Sequence, residues 1–490
     1  MVSSRLAWIV SSLLCAGVGC NLVTGLSDLK LDESGGAGGT GGSGGSTTTV
    51  GGSTGTVSTT DDGCSDGSKN GLETGRDCGG PNCAPCPLDE GCKLGSDCES
   101  GICRGPEAEK KCFAAVKIAA GNAHACAILA DSTVHCWGAN AHGQLGKSGG
   151  GVSSIPVEVS IAGAIEVTVG GPAEEPEKGH TCVRTQNNAV WCWGAGESGQ
   201  LGNGGNSDVS DPVEVAGLGP VTNVSAGSLT TCIRKMAGTI ACWGSSARGE
   251  INEALTDSNV PEDLAKPMAA TSVTLGDHHV CALLPDSSVA CWGANERGQS
   301  ASTAGDIVGV NGVEFPVPVS NSQLALGQDF SCALSDKLFC WGDNTDGALA
   351  GASGSDLELT PVEIALSGAV RIAAGKDGDT SPDNLGGPTG GHACAITDNG
   401  TVMCWGNNRK GQLGNGSTSE KEITPVNVNT LEGGTQSDAT GATDIALGAE
   451  FSCAVTTKGG VVCWGRNDRG QAGQSTQMDV VTTPQKVVWP

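Results

Sequence analysis

The sequence predicts an all-β chain: a seven-bladed β-propeller preceded by a flexible tether and a small disulfide-rich module. Three observations carry this. The tripeptide Cys-Trp-Gly begins at Cys136, Cys192, Cys242, Cys291, Cys340, Cys404 and Cys463, with successive copies 56, 50, 49, 49, 64 and 59 residues apart. A period near that length marks a repeat architecture. Each unit reads as four short apolar stretches closed by turn residues, the pattern of a propeller blade. Aromatic residues are only 3 %, with no Tyr and 79 Gly. The core must therefore come from Val, Ile, Leu, Ala and the repeated Trp.

Residues 1–19 read as a signal peptide. Arg5 supplies the positive start, and Leu6 to Val18 is an apolar run too short to cross a bilayer as a helix. The sequence Gly17-Val18-Gly19-Cys20 resembles a bacterial lipoprotein cleavage box, which implies lipidation of Cys20; ordinary cleavage nearby is the alternative. Residues 20–60 form a linker, almost entirely Gly, Ser and Thr from 35 onwards. Such a chain buries no core and reaches roughly 28 Å by random-coil scaling.

Residues 61–115 form the cysteine-rich module, with Cys64, Cys78, Cys83, Cys86, Cys92, Cys98, Cys103 and Cys112. An exported segment this short and this poor in apolar residues reads as a disulfide scaffold. Eight cysteines allow 105 pairings, and the spacing selects none of them. Cys83 and Cys86 have CxxC spacing. A zinc site would need a second matching pair, and a redox site a strand–helix context; both are missing. The run from Cys64 to Gly80 resembles cysteine-rich spacers of myxobacterial-type secreted proteins, for which no activity is assigned.

Residues 116–490 form the repeat array. In the first unit, Val116 to Ala120, Ala125 to Leu129 and Val134 to Trp137 read as strands. A glycine-punctuated loop from Gly138 to Gly146 leads to a fourth strand starting at Pro156. The combination of His124-Ala125-Cys126, Cys136-Trp137-Gly138 and Gly143-Gln144-Leu145-Gly146 resembles the regulator of chromosome condensation repeat. The last tetrad recurs at 199–202 and 411–414 and degrades elsewhere, most of all at Gly249-Glu250-Ile251-Asn252. The resemblance covers most of residues 116–490 and implies a seven-bladed propeller. The eukaryotic namesake works in the nucleus on a small GTPase and chromatin, which an exported, disulfide-rich chain does not share, so only the fold is carried over. Secreted bacterial members that bind other proteins are the nearer analogy. Closure of the ring is expected from Pro484 to Val488, pairing as a strand beside the first unit.

Each Cys-Trp-Gly cysteine has an upstream partner: Cys126/Cys136, Cys182/Cys192, Cys232/Cys242, Cys281/Cys291, Cys332/Cys340, Cys394/Cys404 and Cys453/Cys463. All separations are even, so the two residues oppose each other on one face of a hairpin, roughly 4.5–5.5 Å apart and within disulfide range. One staple per blade is expected. A lone Cys pair offers too few ligands for structural zinc, and no metal site or cofactor is expected.

Other chemistry is thin. His124, His180, His279 and His392 precede the first cysteine of their units by two residues, where Thr230, Phe330 and Phe451 stand elsewhere. A slot open to His, Thr and Phe reads as a packing position. The stretch Asp343 to Gly347 resembles the opening of a calcium loop, yet it fills the turn slot of every other blade. No nucleophile triad, paired-carboxylate signature or phosphate loop stands out. The net charge of −26 excludes phosphate-backbone binding and electrostatic docking on anionic lipid.

Two insertions break the repeat before His180 and His392. They nominate Glu174, Glu175, Glu177 and Lys178 in unit two, and Lys376, Asp377, Asp379 and Asp383 in unit six, as binding-loop residues flanking one mouth of the ring. A third long loop, Leu431 to Asp444, joins different strands. The sequence thus reads as a monomeric, non-catalytic binding scaffold of the bacterial cell envelope, lipid-anchored to the outer membrane or secreted. Its partner is a protein or a cell-surface polymer. The alternatives are a propeller lyase or hydrolase with its site at the central mouth, or a purely structural envelope protein.

Overall fold

The computed structural model describes residues 64–172, 175, 177–265, 269–301, 307–316, 323–351, 354–376, 391–429 and 441–490. The signal, Cys15, Cys20 and the tether lie outside these residues. No helix among the described residues is long and apolar enough to cross a membrane.

Seven four-stranded antiparallel sheets follow one another along the chain. The first is built from Ala115–Ala120, His124–Leu129, Val134–Ala139 and Val152–Val159. Strand order equals chain order in every blade, and the first strands of neighbouring blades lie against one another round the centre. Turns between first and second strands (inner turns) therefore share one face of the ring with the loops between third and fourth strands (outer loops). The hairpin turns between second and third strands open on the opposite face.

The Cys-Trp-Gly repeat is the frame of each blade. Its cysteine sits directly opposite its partner on the second strand, as in Cys126↔Cys136 and Cys281↔Cys291. All seven pairs are disulfides, with Cα atoms 4.1–4.2 Å apart, slightly closer than a free non-hydrogen-bonded pair. The glycine is required by crowding. Gly138 has φ +111°, and a Cβ there would fall 2.4 Å from the Ala123 carbonyl.

The tryptophan ties each blade to the one before it. Trp193 Nε1 donates to the Gln144 carbonyl at 2.9 Å, and Trp243, Trp292, Trp341, Trp405 and Trp464 make the same bond to Gln200, Glu250, Gln299, Ala348 and Gln412. The second residue of the Gly-Gln-Leu-Gly tetrad is thus read through its backbone. That is why the tetrad degrades at Glu250 and Ala348 without loss of the contact. All seven indoles are fully buried.

The ring does not close by strand exchange. The last strand, Val480–Lys486, pairs with its own third strand through Gly465↔Val481 and Cys463↔Gln485. This corrects the expectation for Pro484 to Val488. The first blade already owns an outer strand, Val152–Val159, so no edge is left for the C-terminus to fill. Closure uses three other devices. Trp137 donates to the Gln471 carbonyl, and Ala449 N–H donates to the Gly121 carbonyl at 3.1 Å. The C-terminal Trp489 packs edge-on against Trp137 and His135, at 6.3 and 5.3 Å.

The cysteine-rich module spans the same seam. Its pairs are Cys64–Cys83, Cys78–Cys86, Cys92–Cys103 and Cys98–Cys112, so Cys83 and Cys86 belong to different bridges. Ile102 is fully buried in a core cluster shared with blades one, six and seven. Ala115 N–H donates to the Gly459 carbonyl in a blade-seven hairpin turn. Arg104 reaches Thr133, His135 and Glu158 of blade one at 2.7, 2.7 and 2.8 Å. The module therefore rests on the face opposite the inner turns.

Candidate functional site

The described inner turns and outer loops are acidic, with 16 Asp and Glu against 8 Lys and Arg. At their centre one residue per blade follows the glycine that ends the inner strand: Asn122, Gly171, Ser228, Asp277, Gln328, Lys376 and Ala449. Backbone bonds chain these positions together, including Gly171 N–H to Gly227 O, Ser228 N–H to Asp277 O, Asp277 N–H to Gly327 O and Lys376 N–H to Gly448 O.

Lys376 crosses this centre. Its Nζ lies 2.6 Å from Asp277 Oδ1 of blade four and 3.0 Å from the Gly171 carbonyl of blade two. Burial opposes the charge on Asp277, but Lys376 and His278 hold its carboxyl below the usual range. His278 stands between Glu250 and Asp277, at 3.5 and 3.6 Å. Three polar atoms of the axial residues are buried with no hydrogen-bond partner: Asn122 Oδ1, Ser228 Oγ and Asp277 Oδ2.

The blade-two insertion is pinned by ion pairs. Lys178 bonds Glu175 and Glu197 at 2.9 and 2.8 Å, and these carboxylates raise its pKa. Glu177 meets Arg469 of blade seven through its carboxylate, and its carbonyl accepts from Gln144 Nε2 at 2.7 Å. Glu174, Asp377, Asp379 and Asp383 lie outside the described residues, as does most of the Leu431 to Asp444 loop. The structure thus joins the starts of the two insertions through Lys376 and Gly171. Sequence reasoning missed Asp277 as the partner; the signal was there, because the residue after the inner-strand glycine aligns across all seven units.

The four histidines are committed to the scaffold. His124, His180, His279 and His392 Nε2 lie 2.8–3.0 Å from Thr181, Thr231, Ser331 and Ser452 hydroxyls of the next blade. Each hydroxyl in turn donates to the carbonyl that also receives the tryptophan. The imidazole must therefore be the donor, and burial pushes each pKa down to about 3. Where the slot holds Thr230, Phe330 or Phe451, the next blade offers Val280, Ala393 or Ala125, which have no hydroxyl. The alternation of His with Thr and Phe follows from this pairing.

The turn at Asp343 is likewise structural. Asp343 Oδ1 caps Thr345 N–H at 2.7 Å, and Asn344 Oδ1 caps Leu349 N–H at 3.0 Å. Among the described residues, two groups have ligand atoms close enough for a metal: Cys92, Cys98, Cys112 and Cys64, Glu73, Cys83. Every one of those cysteines is in a disulfide, which leaves no thiolate to ligate.

Comparison with known proteins gives the following likenesses. Two models described as the regulator of chromosome condensation (RCC1) repeat match this chain. One matches residues 115–144, 270–299 and 442–471, and the other residues 187–233 and 399–455. Protein RCC2 homolog of Danio rerio is 36 % identical over 100 residues, 20 % of this chain and 19 % of that protein. Protein RCC2 of Homo sapiens is 32 % identical over 105 residues, 21 % and 19 % of the two chains. The chain thus spans about a fifth of the length of these curated relatives. Human WBSCR16 superposes with a TM-score of 0.60 at 21 % identity, over 72 % of this chain and 93 % of that one. Prp20p of Saccharomyces cerevisiae, studied for its binding to Gsp1p and histones, gives 0.59 at 19 % identity, over 76 % and 87 %. At these identities the structural likeness is one of fold.

Proposed function

We propose, for a chain that carries RCC1 repeats folded as a seven-bladed propeller, the role of an exported, lipid-anchored scaffold that binds a protein partner without catalysis. The partner docks on the face of inner turns and outer loops. The observation that carries this is that Lys376, where the blade-six insertion begins, reaches across the axis to the Gly171 carbonyl, next to the start of the blade-two insertion. A repeat scaffold commonly presents its binding surface on the loops that break the repeat.

Further support comes from the N-terminus. An apolar signal core ending at Cys20 and a Gly/Ser/Thr tether suit a protein held off a membrane. Eleven disulfides among the described residues suit an oxidising compartment. The four buried histidines are neutral donors to the next blade, and Lys376 is held in an ion pair, so these groups serve the scaffold rather than proton transfer. The described module rests on the opposite face, away from the inner turns.

The test compares the full chain with a variant shortened at 173–176 and 377–390, each bearing an affinity tag at the C-terminus. Cross-linking on the parent cell surface should give one saturable partner for the full chain and none for the shortened one. Equal capture by both forms would overturn the face assignment. Mass spectrometry of the mature N-terminus checks the anchor: an acylated Cys20 is expected.

A further inference from the structure

The axial position of this face has more hydrogen-bond acceptors than its own residues satisfy. Asp277 Oδ1 and the Gly171 carbonyl receive Lys376. Asn122 Oδ1 and Ser228 Oγ receive no hydrogen bond, and Asp277 Oδ2 has only the His278 imidazole, 3.6 Å away and beyond hydrogen-bond distance, although all three atoms are buried. Asn122 is 1 % exposed, Ser228 0 % and Asp277 3 %. The Asn122 amide nitrogen already donates to the Pro172 carbonyl, which leaves its oxygen as an acceptor. Leaving buried acceptors unmade is costly, and native proteins rarely do it without a purpose.

We propose that the ring centre is a seat for the guanidinium group of a partner's arginine, and that Lys376 holds that seat in the free protein. The chemistry selects the occupant. An ammonium has three donors from one point, and Lys376 has spent two of them on Asp277 and Gly171. A guanidinium has five donors in a planar fork and takes both oxygens of a carboxylate at once. Asp277 Oδ2, the second oxygen of that carboxylate, is the one left without a hydrogen bond, with His278 beside it at 3.6 Å. The surrounding described loops, with 16 acidic residues against 8 basic ones, draw a cationic partner towards the mouth. In this scheme the arginine displaces Lys376 from Asp277 and the lysine returns to solvent, so no covalent step is involved.

The inference rests on the binding reading above and has its own probes. The full chain is titrated by calorimetry with acetyl-Gly-Arg-Gly-amide, with the citrulline analogue and with the lysine analogue. Saturable binding of the arginine peptide is expected, about tenfold tighter in Lys376→Ala, which removes the internal competitor. Citrulline, which keeps the shape but loses the charge, should not bind. Asn122→Ala should weaken arginine binding and Asp277→Asn should abolish it. Lys376→Met, which keeps the apolar stem, serves if the alanine variant unfolds. Failure of the arginine peptide to bind folded Lys376→Ala or Lys376→Met would overturn the seat, as would equal binding of arginine and citrulline. If that happens while insertion-dependent capture of a partner persists, the guanidinium seat falls and the scaffold reading stands.

Discussion

The indole nitrogen of Trp137 donates to the backbone carbonyl of Gln471, 3.0 Å away across 334 residues of sequence. This bond helps to close the ring, together with Ala449 N–H to Gly121 and the packing of Trp489, because no strand is exchanged between the first and last blades. It is also unlike its six counterparts that have a neighbouring hydroxyl or a continuous chain to support them. The residue after His124 is Ala125, so the Gln471 carbonyl lacks the second donor that Thr181 gives to Gln144.

Trp137→Phe should therefore destabilise more than Trp193→Phe. Leaving the Gln471 carbonyl buried and unmade costs about 1–3 kcal/mol, whereas Gln144 keeps Thr181 as a donor. Denaturant melts of the two variants check this. Equal losses would mean that closure does not depend on this bond.

The histidine–hydroxyl pairs predict an energetic coupling that the chain has already explored. His124→Phe or Thr181→Ala alone strands a partner. The double variant reproduces the Phe451/Ala125 pairing found at the seam, and its cost should fall below the sum by about 0.5–3 kcal/mol. A double-mutant cycle measures it, and strict additivity would contradict the pairing.

The same histidines set an acid dependence. Folded, each has a pKa of about 3 because it is buried; unfolded, each protonates near 6.5. Between those values the unfolded chain binds more protons. Stability is therefore fully present above about pH 6.5 and falls as pH drops towards 3. Thermal melts from pH 7.5 to 4.5 should show this decline, with a shallower slope in the His124→Phe/Thr181→Ala variant.

Most of this architecture was legible in the sequence because it repeats. The even spacing of Cys281 and Cys291 placed them opposite each other before any coordinates, and seven Cys-Trp-Gly copies counted the blades. Ring closure was not legible. Pro484 to Val488 has the apolar pattern of a strand, but pattern does not say which blade lacks an edge. The pairing of Lys376 with Asp277 was also hidden, since 99 residues separate them and only the circular arrangement brings them together. The four disulfides of the module needed coordinates for the same reason: spacing alone leaves 105 solutions.

The blade staples predict a uniform penalty. Replacing Cys281 and Cys291 together by Ala should cost about 2.5–3 kcal/mol, from the entropy of reopening a short loop. Thiol labelling of the unreduced, denatured mature protein should detect no free cysteine, because the 22 described cysteines are all paired and Cys20 is expected to carry the lipid.

The cysteine-rich module should behave as a clasp on the closure seam. Arg104→Ala removes its hydrogen bonds to Thr133 and Glu158. Hydrogen bonds involving charged groups contribute about 1.5–3 kcal/mol each. Faster proteolysis between Cys112 and Ala115, with a lowered melting temperature of the ring, is expected. An unchanged ring would make the module an independent appendage.

The central claim is that function lies on the face of inner turns and outer loops. A photo-crosslinking amino acid placed at Glu175 on that face, and in a separate protein at Asp398 on the opposite face, tests it in the parent cell; both residues are exposed. The account predicts a discrete adduct from position 175 and none from position 398. An adduct from position 398 alone would contradict it.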